Sequence, residues 1–177
     1  MLRLGGNRLY RCVMGFRAWV ADRFVTADAV YGLILYSALI GASSDENSTA
    51  LEVLLVSAAS LVIFWGAHVF AGTLATHGVK DGAETRLGPA IGSALRHSSG
   101  MLYAAILPSL ALLAGVFRAV SADNAVNIAL LVATIVLGAL GFAAFAQRKR
   151  PIVIRILGGI GTALFGLLMI VLNVIVH

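Results

Sequence analysis

The sequence predicts an all-α integral membrane protein with five transmembrane helices. Of its 177 residues, 60% are hydrophobic and 12% are charged, and the mean hydropathy is +0.96. A soluble domain needs more polar residues than this to cover its surface. Several apolar stretches also approach the roughly 20 residues with which a helix crosses a hydrocarbon core. The lipid bilayer is therefore the first expected partner of the chain.

The spans are predicted at residues 24–42, 51–76, 101–117, 124–146 and 152–176, so that residues 24–177 form one membrane domain. Pro108 lies inside the third span, where the missing N–H should kink the helix. The connector 77–99 is polar and contains Gly88 and Pro89, which favour irregular structure. We expect at most one short amphipathic turn there, made by Leu87, Ile91 and Leu95.

Residues 1–23 are predicted to form a basic amphipathic segment on the cytoplasmic side. Apolar residues recur at helical spacing within residues 7–23, while the arginines fall mostly between them; the apolar residues are Leu9, Val13, Phe16 and Val20. This pattern is typical of a short helix lying in the headgroup plane. The arginines also interrupt the apolar stretch that a secretory signal requires, so we expect the first span to remain as an anchor.

The positions of lysine and arginine predict the orientation. Five precede the first span, three lie in the connector 77–99 and four lie between residues 148 and 155, whereas Arg118 alone lies on the opposite side. Basic loops stay in the cytoplasm, so the N-terminus is expected inside and the C-terminus outside. The net charge of +5 is then expected to attract anionic lipid headgroups at the cytoplasmic face. It gives no reason to expect nucleic acid.

A few polar residues inside or at the ends of the spans are the candidates for function, because an ionisable group in lipid must pair or meet water. Counting from the first loop places Asp28 opposite Phe64, within one turn of His68, so an Asp28–His68 contact is available. Such a pair could hold or relay a proton, or attract a cation. The pore or relay candidates are Asp28, Tyr31, Trp65, His68 and Glu52.

Structural roles compete with each of these interpretations. Asp28 could lie among the headgroups, and His68 could bond to a backbone carbonyl. Glu52 could guard an entrance or simply complement the positive end of a helix dipole. Residues spaced by four on the fifth span form a flat face for helix packing, either with another copy or within one protomer. They are Gly158, Gly159, Thr162, Ala163 and Gly166.

Enzyme motifs are lacking in the sequence. There is no glycine-rich phosphate loop, nucleophile elbow or zinc-protease motif, and Cys12 is the single cysteine. No second histidine or carboxylate follows His68 at helical spacing, so we expect no metal site, no cofactor and no catalytic residues.

The run 23–32 and the sequence Phe64-Trp65-Gly66-Ala67-His68 resemble the bacterial relatives of the lysosomal potassium channel. In that family a first helix carries Arg followed by Phe-Ser-Asp, and a later helix carries Trp before His. The resemblance implies that Arg23, Asp28, Trp65 and His68 belong to the network that holds pore helices together. Ala27 stands where the serine would be and Thr26 where the phenylalanine would be, and five spans replace the usual six.

These observations lead to two hypotheses. The first is an oligomeric channel or carrier for protons or monovalent cations, based on Asp28, Tyr31 and His68. The second is a non-catalytic accessory subunit that binds a larger membrane complex through its fifth helix. The spans are rich in alanine, valine, leucine and glycine, as in small membrane proteins of high-GC bacteria, so we expect a multi-pass protein of the bacterial inner membrane.

Overall fold

The structure is a computed structural model that describes residues 25–45, 47–76, 79–80, 83–84, 87–148 and 150–176. The interfacial helix predicted at residues 7–23 lies outside these ranges. In chain order the elements are α1 Ala27–Ser43, α2 Ala50–Thr76, β1 Val79–Lys80, β2 Ala83–Glu84, α3 Leu87–Val116, α4 Ala122–Gln147 and α5 Ile152–Val176. Consecutive helices reverse direction. We call the end with the α1 N-terminus end A and the opposite end, with the α1 C-terminus, end B.

Four helices, α2 to α5, are long and apolar enough to cross a membrane. This confirms the predicted multi-pass architecture at that level. The remaining helix, α1, is apolar but has only 17 residues. It is therefore about 25 Å long, against a hydrocarbon core of about 30 Å.

Helix α3 begins well before the third predicted span. α3 has 30 residues and starts at Leu87, so the expectation of an irregular connector up to residue 99 was wrong. Pro89 lies in the first turn of α3, where a proline is tolerated because the N–H groups there have no partner within the helix. Two short strands, β1 and β2, lie between α2 and α3 in the chain. They pair antiparallel, with Val79 opposite Glu84.

Side-chain caps mark the starts of α1 and α4. The Thr26 hydroxyl accepts a hydrogen bond from the Ala29 N–H at 3.1 Å, and the Ser121 hydroxyl accepts one from Asn124 at 3.4 Å. Each cap satisfies a backbone donor that the first turn leaves open. The cap at Thr26 therefore defines where α1 begins and puts Asp28 in its first turn.

The core is filled by large side chains of α1, α3 and α4. The fully buried ones include Leu33, Tyr36, Ile40, Met101, Leu112, Leu130 and Leu137. α1 contacts all four other helices, whereas α5 lies at the edge against α4 and α1. Large apolar side chains cover the outer faces of α2 and α5, which is the distribution expected of helices that face lipid.

Candidate functional site

Asp28 and His68 form the one ion pair found among the described residues. His68 Nε2 lies 3.5 Å from Asp28 Oδ1, with 40% of the His68 side chain and 18% of the Asp28 side chain exposed. Asp28 meets His68 directly, one turn beyond the Phe64 level at which the loop count placed it. The pair carries opposite charges only when the imidazole is protonated, and imidazole is the side chain that changes charge near neutral pH.

The position of Asp28 at the start of α1 stabilises its carboxylate. We expected Asp28 about one turn inside the span, but α1 begins at Ala27 and Asp28 belongs to its first turn. The helix dipole favours a negative charge there. The α1 N-terminus therefore gives the carboxylate a positive potential, to which His68 adds only when its imidazole is protonated.

Tyr31 covers the imidazole from the same helix as Asp28. The Tyr31 and His68 rings stack with their centroids 6.1 Å apart and their planes at 28°. Tyr31 follows Asp28 by three residues, which places both side chains on one face of α1. With half of Tyr31 exposed, the site at end A opens to the surroundings of the bundle.

Trp65 precedes His68 by one turn of α2 and packs against the core. Its indole Nε1 is buried and has no hydrogen-bond partner among the described residues. Buried polar groups are generally paired, so this donor is an exception beside the ion pair. Glu52, the remaining polar candidate, lies at end B, far from these residues.

Glu52 belongs to a capping box at the start of α2. Its Oε2 accepts hydrogen bonds from the Thr49 N–H at 2.8 Å and the Thr49 hydroxyl at 2.9 Å. The Glu52 N–H in turn donates to Thr49 Oγ1 at 3.3 Å. This reciprocal arrangement satisfies backbone donors at the helix start and gives Glu52 a local role beside the predicted one.

The glycine-rich stripe of α5 packs against α4 within the protomer. The Thr162 hydroxyl makes its shortest carbonyl contact with Leu137 of α4, at 2.8 Å; the carbonyls of Gly158 and Gly159 in its own helix lie at 3.1 Å. The other members of the stripe lie against α4 as well: Gly158 meets Phe145, Gly159 and Ala163 meet Gly138, and Gly166 meets Thr134. Contact with α4 therefore occupies the face that we considered for another copy or a partner.

Sequence reasoning missed a partly buried hydroxyl pair between α1 and α3. Tyr36 Oη lies 2.7 Å from Ser109 Oγ, and Ser109 Oγ donates to the Ala105 carbonyl at 2.8 Å. The single hydroxyl proton of Ser109 is donated to that carbonyl, so Tyr36 is the donor in the bond between the two hydroxyls. The only signal in the sequence was two hydroxyl residues inside apolar spans.

Chemically, the arrangement at end A combines a carboxylate and an imidazole 3.5 Å apart with a phenol ring stacked on the imidazole. Such groups can exchange protons or hold a small cation. Among the described residues, no three histidine, cysteine, aspartate or glutamate side chains converge as a metal site would require. No family model, curated protein or solved structure matches the chain.

Proposed function

We propose that the protein is a small, oligomeric, multi-pass protein of the bacterial inner membrane that moves protons or a monovalent cation, with Asp28 and His68 as its exchanging groups. The observation that carries this proposal is the 3.5 Å contact between Asp28 and His68. Keeping two ionisable groups at the edge of an apolar bundle is costly unless they are used or paired.

The state of His68 gives the pair a mechanism. With the imidazole protonated, the pair is an ion pair and the carboxylate is neutralised. When the imidazole loses its proton, the carboxylate is left to attract another proton or a cation. Tyr31 holds the imidazole by stacking, so that Nε2 remains directed at Asp28. The resemblance of residues 23–32 and 64–68 to a potassium-channel family supports a role in ion movement.

The proposed route lies outside the protomer core. Tyr36, Met101, Leu112, Leu130 and Leu137 fill the centre of the bundle and are fully buried. Since His68 and Tyr31 are partly exposed on the outside of the bundle, we propose that ions pass between copies, along α1 and α2. The proposed topology keeps five spans, with the N-terminus and the Asp28–His68 pair on the cytoplasmic side.

The experiment is a flux measurement in liposomes made with the purified full-length chain. An interior pH dye reports proton movement, and potassium- or sodium-loaded vesicles report cation movement. We expect the wild-type chain to give flux above that of protein-free vesicles. Asp28→Asn and His68→Gln should each lose most of this flux. The matched control is His97→Gln, an exposed histidine of α3, which should keep the flux.

Two outcomes would contradict the proposal. Vesicles containing the wild-type chain that are as tight to protons, potassium and sodium as empty ones would exclude ion movement. Equal flux in Asp28→Asn, His68→Gln and His97→Gln would remove the pair from the mechanism. The accessory-subunit hypothesis gains nothing from the geometry, because the α5 stripe on which it relied lies against α4.

A further inference from the structure

An apolar groove runs between α1 and α5 near end B. It encloses about 200 Å³ and is lined by Ser37, Ala38, Gly41, Ala42, Met169, Leu172 and Asn173. The small side chains of α1 form one wall and the long side chains of α5 the other. One turn of an α-helix, about 10–12 Å across and 5.4 Å long, has at least about twice this volume, so the groove suits a hydrocarbon chain better than a helix of a partner.

A polar cavity of about 490 Å³ adjoins this groove at the end of the bundle. Its lining comprises Ser44, Asp45, Asp123, Val126, Asn127, Asn173 and Val174. Asn173 lines both spaces, which makes it the junction between them. The volume falls within the range of about 300–1,000 Å³ that is typical of small-molecule sites.

The charge of the polar cavity is negative. Asp45 and Asp123 are exposed, and neither carboxylate has an ion-pair partner among the described residues. Asn173 donates its Nδ2 protons towards the Gly41 carbonyl at 3.4 Å and the Ser44 hydroxyl at 3.1 Å. This fixes the amide so that its Oδ1 remains an acceptor, and the cavity therefore offers oxygen acceptors to a cationic group.

We infer that end B binds one phospholipid with an ammonium headgroup, such as ethanolamine. One acyl chain lies in the groove between α1 and α5, and the ammonium group lies between Asp45 and Asp123, with the Asn127 amide in reach of the phosphate. Exposed ion pairs contribute little by themselves. The affinity for the lipid therefore comes mainly from its acyl chain, and the selectivity for the headgroup comes from the two carboxylates. The site shares no residue with the Asp28–His68 pair.

The test is native mass spectrometry of the full-length chain in mild detergent. Dioleoyl phosphatidylethanolamine and dioleoyl phosphatidylglycerol, which have the same chains but different headgroups, are added at equal concentration. We expect the ethanolamine lipid to bind about tenfold more tightly. Exchanging both carboxylates, Asp45→Asn with Asp123→Asn, should abolish this preference. These substitutions are on the surface and leave the helix contacts in place.

Blocking the groove tests whether the acyl chain of the lipid lies there. Ala38→Phe should lower the binding of both lipids, whereas Ala59→Phe, at an exposed position of α2, should not. Equal binding of the two lipids by the wild-type chain would overturn the headgroup assignment, and equal effects of the two phenylalanine variants would overturn the groove. Complete displacement of the lipid by free ethanolamine would mean that the cavity binds the headgroup alone, which also contradicts the inference.

Discussion

Gly32 of α1 lies directly against Met101 of α3. A Cβ atom at Gly32 would come within 2.7 Å of the Met101 Cα, closer than any side chain can approach a backbone without displacing it. The contact brings α1 and α3 together at one level of the bundle. Gly32 follows Asp28 by one turn, so the same contact also fixes the depth and rotation of the helix that presents Asp28 and Tyr31 to His68.

Gly32→Ala should therefore destabilise the bundle, because the added methyl group forces α1 away from α3. Overpacking of this kind costs about 1–3 kcal/mol, and we expect a lower melting temperature in detergent, followed by tryptophan fluorescence or size exclusion. The control is Gly66→Ala on α2, where a Cβ has no neighbour within 4 Å. Alanine favours the helix there, so an equal loss in both variants would exclude the Gly32–Met101 contact as the cause.

How far the sequence predicts the fold is clear at α3. Apolar length alone identifies the membrane portion, because lipid demands a long helix with satisfied backbone groups. The first turns were missed because Gly88 and Pro89 break a helix only in its interior. The spacing of Ala90, Ala94 and Ser98, all buried, follows the helical period and was the available signal for the earlier start.

The Asp28–His68 contact was within reach of the sequence, since a hairpin with a short loop sets the level of each residue on its neighbour. The count placed Asp28 within one turn of His68, and the two side chains lie 3.5 Å apart; a loop count gives height along the helix, whereas the direction of each side chain needs the structure. Tyr36 and Ser109 are 73 residues apart, on helices whose adjacency no single sequence reveals. That hydroxyl pair could only be found from the packed structure.

The hydrogen bond between Tyr36 and Ser109 should be measurable as a coupling energy. Tyr36→Phe and Ser109→Ala each remove one hydroxyl, and their combination completes a double-mutant cycle. We expect a coupling of about 0.5–1.5 kcal/mol in unfolding free energy, the usual contribution of a hydrogen bond. Strictly additive losses would mean that the two hydroxyls do not interact in the folded protein.

Thr162→Val should weaken the attachment of α5 to α4. The valine keeps the shape of threonine but cannot donate to the Leu137 carbonyl, and hydrogen bonds between membrane helices contribute on average about 0.6 kcal/mol. Thr134→Val is the matched control, because the Thr134 hydroxyl donates within its own helix, to Leu130 at 2.9 Å. Unfolding in mixed micelles should separate the two variants, and an equal stability would argue against the interhelical bond.

The stacking of Tyr31 on His68 can be separated from its hydroxyl group. In the flux measurement, Tyr31→Phe should retain most of the wild-type flux because the ring remains. Tyr31→Leu should reduce the flux because the imidazole loses its aromatic neighbour. If Tyr31→Phe lost as much flux as Tyr31→Leu, the phenol hydroxyl and not the stacked ring would be the functional group. Phe64→Leu, at an exposed position of α2, controls for the loss of an aromatic side chain.

The five-span topology depends on α1, whose 17 residues make it the shortest helix in the described part of the chain. Cys12 is the only cysteine, so a membrane-impermeant maleimide applied to intact cells tests the crossing directly. We expect Cys12 to react only after permeabilisation. Asn47→Cys, in a chain that also carries Cys12→Ser, should react from outside, because Asn47 is exposed in the loop after α1. Arg150→Cys in the same background reports the cytoplasmic side. If Cys12 and Asn47→Cys reacted from the same side, α1 would not cross the membrane, and the positive-inside assignment of Asp28 and His68 would lose its basis.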